Sequence, residues 1–308
     1  MPLFTFLQLT GLSALWGASF LLIRIASPLL GPAVMATMRI AFATLTLTLL
    51  MRVLHQRWPW QHARDLLLIA VMAVAAPFLL YGWAALHLPA GYSALLNTMA
   101  VPFSCIVGVW MGMDKLNSAK IVGCVLGFIG VALVVRLGPI APTPSIMLAA
   151  LACLGAALCY GISNPLMKRA VAHIEPLAIA GGIHLWSLLL LAPVAAVQWP
   201  WAQVTPAAIV ITMVLGMLTS ALAFWLHLRI LRHISAIAAM APTFLIPLFG
   251  VAWGHIFLDE PLNPAMAVGA ALVLAAAALI SEINPFKQKA AVENAKTTNA
   301  MRSDLPPS

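Results

Sequence analysis

Residues 66–86, LLLIAVMAVAAPFLLYGWAAL, form an apolar run without a charged side chain, directly after Arg64 and Asp65. An α-helix rises about 1.5 Å per residue, so about 20 apolar residues cross a hydrocarbon core of about 30 Å. Similar runs predict further spanning helices at residues 3–23, 33–51, 90–111, 118–135, 146–167, 177–197, 207–228, 234–258 and 264–281. Because little sequence remains between the runs, we predict an all-α, polytopic membrane protein of ten transmembrane helices.

The composition indicates the same class of protein. Hydrophobic residues make up 63% of the 308 residues and charged residues only 8%, whereas a typical soluble domain has about 25% charged residues. A net charge of +8 would suggest a nucleic-acid partner for a soluble protein, but here the basic residues are sorted by loop. We therefore expect a lipid bilayer and a small-molecule substrate as partners and no nucleic acid, and we leave a homo-oligomer open.

The distribution of Lys and Arg predicts the orientation in the membrane. Thirteen of the 16 Lys and Arg residues fall in the even-numbered loops and the C-terminal segment, whereas Arg24 and Arg136 fall on the opposite side and Arg39 lies inside the second span. Cytoplasmic loops carry the excess of positive charge, so both termini are predicted to be cytoplasmic. Arg24 argues against this orientation and is outnumbered. Residues 283–308 are polar and predict a disordered cytoplasmic tail.

The two halves of the chain resemble each other. Three ordered matches are WGAS at 16–19 with YGIS at 160–163, HLPA at 87–90 with HISA at 233–236, and DKLN at 114–117 with EPLN at 260–263. The first match has an offset of 144 residues and the other two have an offset of 146, and Arg24 meets Lys168 at the first offset. We predict two repeats of five helices each, at residues 3–137 and 146–282.

A repeat of five spans is inserted in opposite directions in the two halves, because five is an odd number. Asp114 is then predicted to be cytoplasmic and Glu260 external. Inverted repeats are typical of secondary transporters, in which exchanging the conformations of the two repeats converts an inward-open state into an outward-open one. The sequence therefore predicts alternating access of a solute to the two sides of the membrane.

Several segments resemble a known family: ALWGASF at 14–20, Arg39, YGWAAL at 81–86, Pro102 and FLDEPL at 257–262. Together they are similar to the EamA branch of the drug/metabolite transporter superfamily, over residues 3–282. The resemblance implies ten helices in two repeats. It also implies export of a small metabolite, such as an amino acid or a related compound, across a bacterial inner membrane. It does not name the substrate.

Polar and aromatic side chains deep inside spans are the candidates for a substrate cavity, because polar groups are costly in hydrocarbon and are retained there for function. The candidates are Trp16, Arg39, Tyr81, Asn97, Tyr160, Asn164 and His184. Trp16 and Tyr160 occupy equivalent positions in the two repeats. These rings either stack on a substrate or pack in the core.

Each polar candidate has a structural alternative. Arg39 is either a clamp for an anion or carboxylate, or a side chain that extends to the lipid headgroups. His184 either exchanges a proton during transport or forms a hydrogen bond between helices. Asn97 and Asn164 either bind a zwitterionic or amide-bearing solute or join neighbouring helices. Asn164 is the stronger of the two because Pro165 removes a helix hydrogen bond beside it.

None of the eight Asp and Glu residues falls inside a predicted span. A carboxylate proton relay is therefore disfavoured, and we expect a carrier driven by the substrate gradient, with histidine-based proton exchange as the second hypothesis. Uptake, flipping of a lipid-linked substrate and a channel stay open as alternatives. We find no catalytic motif, metal-ligand spacing or nucleotide-binding loop, so the sequence predicts no enzyme, catalytic residue, metal or cofactor.

Overall fold

The computed structural model describes residues 3–112, 117–137, 143–233, 242–261 and 264–280. Within these ranges all regular secondary structure is helical, and seven helices are long and apolar enough to cross a membrane. Three shorter apolar helical segments, at Ser118–Gly130, Leu245–Leu258 and Ala267–Ala276, accompany them. The prediction of an all-helical membrane protein is confirmed, whereas ten membrane crossings stay a prediction.

We number the helical segments of the described residues in chain order. They are α1 Leu3–Leu30, α2 Pro32–Val53, α3 Trp60–Ala84, α4 Ala90–Trp110, α5 Ser118–Leu137, α6 Pro144–Ala170, α7 Pro176–Gln198, α8 Pro206–His233, α9 Pro242–Leu258 and α10 Pro264–Ile280. Helix α4 has a break between Ala90–Asn97 and Ala100–Trp110. The predicted start of the ninth span at 234, Asp114 and the predicted tail at 283–308 lie outside the described residues.

The first helix is longer than its sequence predicted. We expected it to end near residue 23, but α1 continues to Leu30 and includes Pro28. Proline removes only one helix hydrogen bond at that point, and the last residue of the helix, Leu30, is almost completely buried. Gly31 alone joins α1 to α2 with a φ of 75°, a left-handed conformation that glycine adopts without strain.

Two of the helices contain π-helical segments that sequence analysis did not predict. They lie at Val71–Ala75 in α3 and Leu215–Leu222 in α8, and they begin 144 residues apart. In α3 the segment is followed by Pro77, which has no N–H and whose ring crowds the carbonyl of Ala73. A π segment rotates the residues that follow it about the helix axis, and such segments are frequent at functional sites.

Most contacts between helices have a counterpart in which each helix is replaced by the corresponding helix of the other predicted repeat. Helix α1 packs on α9 and its counterpart α6 on α4, while α2 packs on α8 and its counterpart α7 on α3. Further major contacts join α2 to α7, α4 to α9 and α5 to α10, which are counterparts of each other. Helix α6 also packs on α3, and its counterpart α1 packs less extensively on α8. The seven helices that contribute to the centre of this arrangement enclose a cavity.

Candidate functional site

The central cavity has a volume of about 110 Å³ and lies among α1, α2, α3, α4, α6, α8 and α9. Its wall consists of Trp16, Ser19, Phe20, Ile23, Arg39, Phe78, Tyr81, Asn97, Ala100, Tyr160, Ser163, Asn164, Met167, Phe224, His227 and Ile246. Six of the seven sequence-predicted residues are in this wall, which leaves only His184 outside it. That these six bind a substrate stays a prediction.

Arg39 is buried in the cavity wall rather than extended towards lipid headgroups. Its side chain is 4% exposed. Its Nε atom donates a hydrogen bond to Ser220 Oγ at 2.7 Å, and its Nη2 atom donates one to Thr219 Oγ1 at 3.2 Å. The guanidinium carbon lies 3.8 Å from the centre of the Phe78 ring, an attractive cation–π arrangement. The alternative of a side chain at the membrane surface is thereby excluded.

The π segment of α8 supplies the polar groups that hold Arg39. Thr219 and Ser220 both lie in Leu215–Leu222. The Thr219 hydroxyl donates to the carbonyl of Leu215 at 2.8 Å, while the Thr219 carbonyl accepts a hydrogen bond from the Trp16 indole at 3.1 Å. Sequence analysis missed this pair of hydroxyls, although a Thr-Ser pair in an otherwise apolar run was an available signal.

A second cluster surrounds Tyr81 on α3. Its hydroxyl donates a hydrogen bond of 2.8 Å to Asn97 Oδ1, at the residue where α4 is interrupted. The Tyr81 ring stacks on Tyr160, with ring centres 6.1 Å apart and planes inclined by 27°. On α6, the Asn164 side-chain amide donates a longer hydrogen bond of 3.4 Å to Ser104 Oγ. These contacts bring three helices together at the cavity.

The ring pair Tyr81–Tyr160 has a counterpart on the other repeat. Trp16 matches Tyr160 at the offset of 144, and His227 matches Tyr81 at the offset of 146. Trp16 and His227 are in edge-to-face contact, with ring centres 5.3 Å apart. His227 was missed by sequence analysis, although its match to Tyr81 follows from the same offset that relates residues 87–90 to 233–236.

His184 is the one sequence-predicted residue that does not line the cavity. It is completely buried in α7, and its Nδ1 atom lies 2.8 Å from the Ala180 carbonyl oxygen one turn earlier. This contact turns the ring towards Phe224, with ring centres 5.3 Å apart. Phe224 itself lines the cavity. The histidine in the wall of the cavity is therefore His227 and not His184.

The described residues contain no group of three or more His, Cys, Asp or Glu side chains that could hold a metal ion.

Residues 3–136 and residues 147–282 each match the model of the EamA-like transporter family. The chain belongs to the EamA-like transporter family. The two matched segments correspond to the two halves whose packing is alike.

Relatives of this EamA-like transporter are also named as transporters. The chain is 27% identical over 271 residues to the "Probable terminal-alkyne amino-acid exporter" of Streptantibioticus cattleyicolor, which covers 86% of this chain and 89% of that protein. It is 25% identical over 305 residues to the "Uncharacterized transporter YvbV" of Bacillus subtilis, with coverage of 94% and 95%. A crystal structure of another protein is similar with a TM-score of 0.67 at 14% identity, over 88% of this chain and 94% of that chain, which shows the fold alone.

Proposed function

We propose that this protein exports a small metabolite, such as an amino acid or a related compound, across a bacterial inner membrane by alternating access. The observation that carries the proposal is a cavity between two halves with matching contacts, lined by ring pairs that join one half to the other. Trp16–His227 joins α1 to α8, and Tyr160–Tyr81 joins α6 to α3.

The proposed mechanism follows from the relation between these two ring pairs. In an inverted repeat, counterpart contacts lie towards opposite sides of the membrane. Separation of one pair would open the cavity to the cytoplasm, and separation of the other would open it to the exterior. Pro77 and Pro193 lie inside α3 and α7, where interrupted backbone hydrogen bonding allows these helices to bend. The solute would then meet the same side chains from either side.

Two observations support a small solute of the amino-acid type. The cavity of about 110 Å³ is smaller than the sites of about 300–1,000 Å³ that hold drug-sized ligands. The relative from Streptantibioticus cattleyicolor is named as an exporter of a terminal-alkyne amino acid. We propose L-propargylglycine, an amino acid with a terminal alkyne, as the first solute to test.

The proposed driving force is the gradient of the substrate itself. Among the described residues that line the cavity there is no Asp or Glu to exchange a proton. Histidine-based proton exchange stays the second hypothesis. Uptake and the flipping of a lipid-linked substrate are the alternative functions, and an intramembrane enzyme is a remote one.

A growth assay tests export directly. Cells that overproduce the protein are expected to tolerate more propargylglycine than cells with an empty vector, because export lowers its concentration in the cytoplasm. Trp16→Ala is expected to abolish the protection, since it removes the contacts to His227 and to the Thr219 carbonyl. Trp110→Ala is the matched control, because the Trp110 side chain is 85% exposed and does not line the cavity.

Three outcomes of this assay would contradict the proposal. Greater sensitivity of the overproducing cells would indicate uptake. If the overproducing cells and the empty-vector cells were equally sensitive to propargylglycine, and also to each of a panel of other amino acids, export of this class would have no support. Full protection by the Trp16→Ala protein would show that the cavity described above is not the route of the solute. Transport into proteoliposomes, with the solute placed on either side, measures the direction independently of cell physiology.

A further inference from the structure

The central cavity contains a positive charge that no described side chain neutralises. Arg39 donates its hydrogen bonds to two neutral hydroxyl groups, those of Ser220 and Thr219. Its third nitrogen, Nη1, has no hydrogen-bond partner among the residues that the structure describes. The described residues that line the cavity include no Asp or Glu. With histidine neutral, the described wall therefore has a formal charge of +1.

A buried guanidinium without a counter-ion is unfavourable, because the charge has lost its hydration and gained no opposite charge. An anion that enters the cavity removes this penalty. Carboxylates fit best, since the planar guanidinium presents pairs of N–H groups that match the two oxygens of a carboxylate. A serine hydroxyl can donate as well as accept, so Ser220 can turn its proton to the same anion, whereas the proton of Thr219 is donated to the Leu215 carbonyl.

His227 provides a second polar contact in the same wall. Its side chain is 7% exposed, and its Nδ1 atom is buried without a hydrogen-bond partner. Neither ring nitrogen has a partner in the part of the chain that the structure describes. A neutral imidazole has one donor and one acceptor nitrogen, so a bound carboxylate can accept a hydrogen bond from it.

We propose that the cavity recognises the carboxylate of its solute, with Arg39 as the ion-pair partner and His227 as the second contact, and that a free ammonium group is not required. The remaining wall is largely apolar and aromatic, including Phe20, Ile23, Phe78 and Ile246. The ligand class is thus a small monocarboxylate with an apolar body, which includes amino acids with a blocked amine. This inference deepens the proposed function and rests on it.

Binding to the purified full-length protein tests the inference without transport. The probes are 4-pentynoate and 4-pentynamide, which have the same shape but differ in charge, and the readout is tryptophan fluorescence. We expect 4-pentynoate to bind at least about tenfold more tightly than the amide, as the loss of one charge-assisted hydrogen bond predicts. Equal affinity for the two probes, or no binding of 4-pentynoate, would overturn the proposal.

Variants separate recognition from folding. Arg39→Gln is expected to abolish the preference for the carboxylate, and Arg39→Lys to retain part of it because the positive charge stays. His227→Gln is expected to weaken binding of 4-pentynoate while the amide binds as before. Arg57→Gln changes an exposed loop residue and His62→Gln a half-buried residue at the start of α3, and both serve as controls because neither lines the cavity. Wild-type affinity in the Arg39→Gln protein, with a monodisperse elution profile, would also overturn the proposal.

Transport distinguishes failure of this inference from failure of the proposed function. In proteoliposomes, N-acetyl-propargylglycine is expected to compete with labelled propargylglycine at least as well as the unlabelled amino acid does, whereas propargylglycinamide is expected not to compete. If propargylglycine is exported and propargylglycinamide competes as well as N-acetyl-propargylglycine does, the protein is an exporter but carboxylate recognition is refuted. Tight binding of 4-pentynoate without any transport would refute the exporter and retain the site.

Discussion

At the scale of single residues, two polar side chains that were both predicted to line the cavity have different surroundings. Arg39 and His184 both lie in the second helix of their repeats, at nearly equivalent positions. Each contacts a phenylalanine of the third helix, Phe78 in one half and Phe224 in the other, and these two rings are 146 residues apart. Only Arg39 lines the cavity. A shift of a single helical position therefore separates a cavity residue from one buried between helices.

The position of His184 makes a prediction about proton exchange. His184→Gln is expected to leave the ratio of transport rates with and without an imposed pH gradient at its wild-type value, because the imidazole does not line the cavity. The measurement is uptake into proteoliposomes with a pH difference set across the membrane. Loss of a gradient effect in this variant alone, with the His62→Gln control unchanged, would restore His184 as the proton-exchanging group.

Arg24 shows how a single residue departs from the rule that predicts orientation. It is the basic residue that argues against cytoplasmic termini, and the structure gives it a local role. The Arg24 guanidinium donates a hydrogen bond to the carbonyl of Ala85, at the end of α3. Lys168, its counterpart, donates one of 2.7 Å to the carbonyl of Leu231, near the end of α8. A basic group at the C-terminus of a helix satisfies free carbonyls and the helix dipole.

At the scale of helices, two glycines mark corresponding places where helices of the two repeats approach closely. A Cβ atom at Gly17 would lie 2.6 Å from Phe249 Cβ, and one at Gly161 would lie 2.6 Å from Phe103 Cβ. The two phenylalanines are 146 residues apart, so these contacts are counterparts. Helices α1 and α9, and helices α6 and α4, can therefore pack closely only where a side chain is absent.

Alanine substitutions measure the importance of this close packing. Gly17→Ala is expected to destabilise the protein by about 1–3 kcal/mol, the usual range for overpacking, because the Phe249 Cβ and nearby backbone atoms cannot move aside easily. Gly11→Ala is the control in the same helix, since a Cβ there would have nothing within 4 Å. The measurement is the unfolding midpoint in detergent. Equal midpoints for the two variants would show that α1 and α9 are not packed as described.

At the scale of the whole molecule, the inverted orientation of the two repeats is the central proposal. Residues 58–60 and 199–201 both read WPW, and each segment lies at or shortly before the start of the third helix of its repeat. Gln61 and Gln203 follow these segments, and both side chains are exposed. In an inverted repeat the two glutamines face opposite sides of the membrane, Gln61 in the cytoplasm and Gln203 outside.

Cysteine labelling tests this orientation. In a background without the four native cysteines, Gln203→Cys is expected to react with a membrane-impermeant maleimide in intact cells, and Gln61→Cys to react only after the cells are permeabilised. Labelling of Gln61→Cys in intact cells would reverse the predicted orientation. Labelling of both positions under the same condition would exclude the inverted repeat and, with it, alternating access by exchange of the two halves.

The sequence by itself determined the membrane class, the family and the correspondence between the two halves, because hydrophobic runs and repeat offsets are properties of the chain read in order. It also indicated six residues of the cavity wall, since polar side chains in a long apolar helix are few. The tertiary structure decided which of them face one another. A residue turns by about 100° about the helix axis at each step, and the π segments of α3 and α8 add a rotation that hydropathy does not encode. For that reason the packed helices were needed to place His227, Thr219 and Ser220 at the site and His184 outside it.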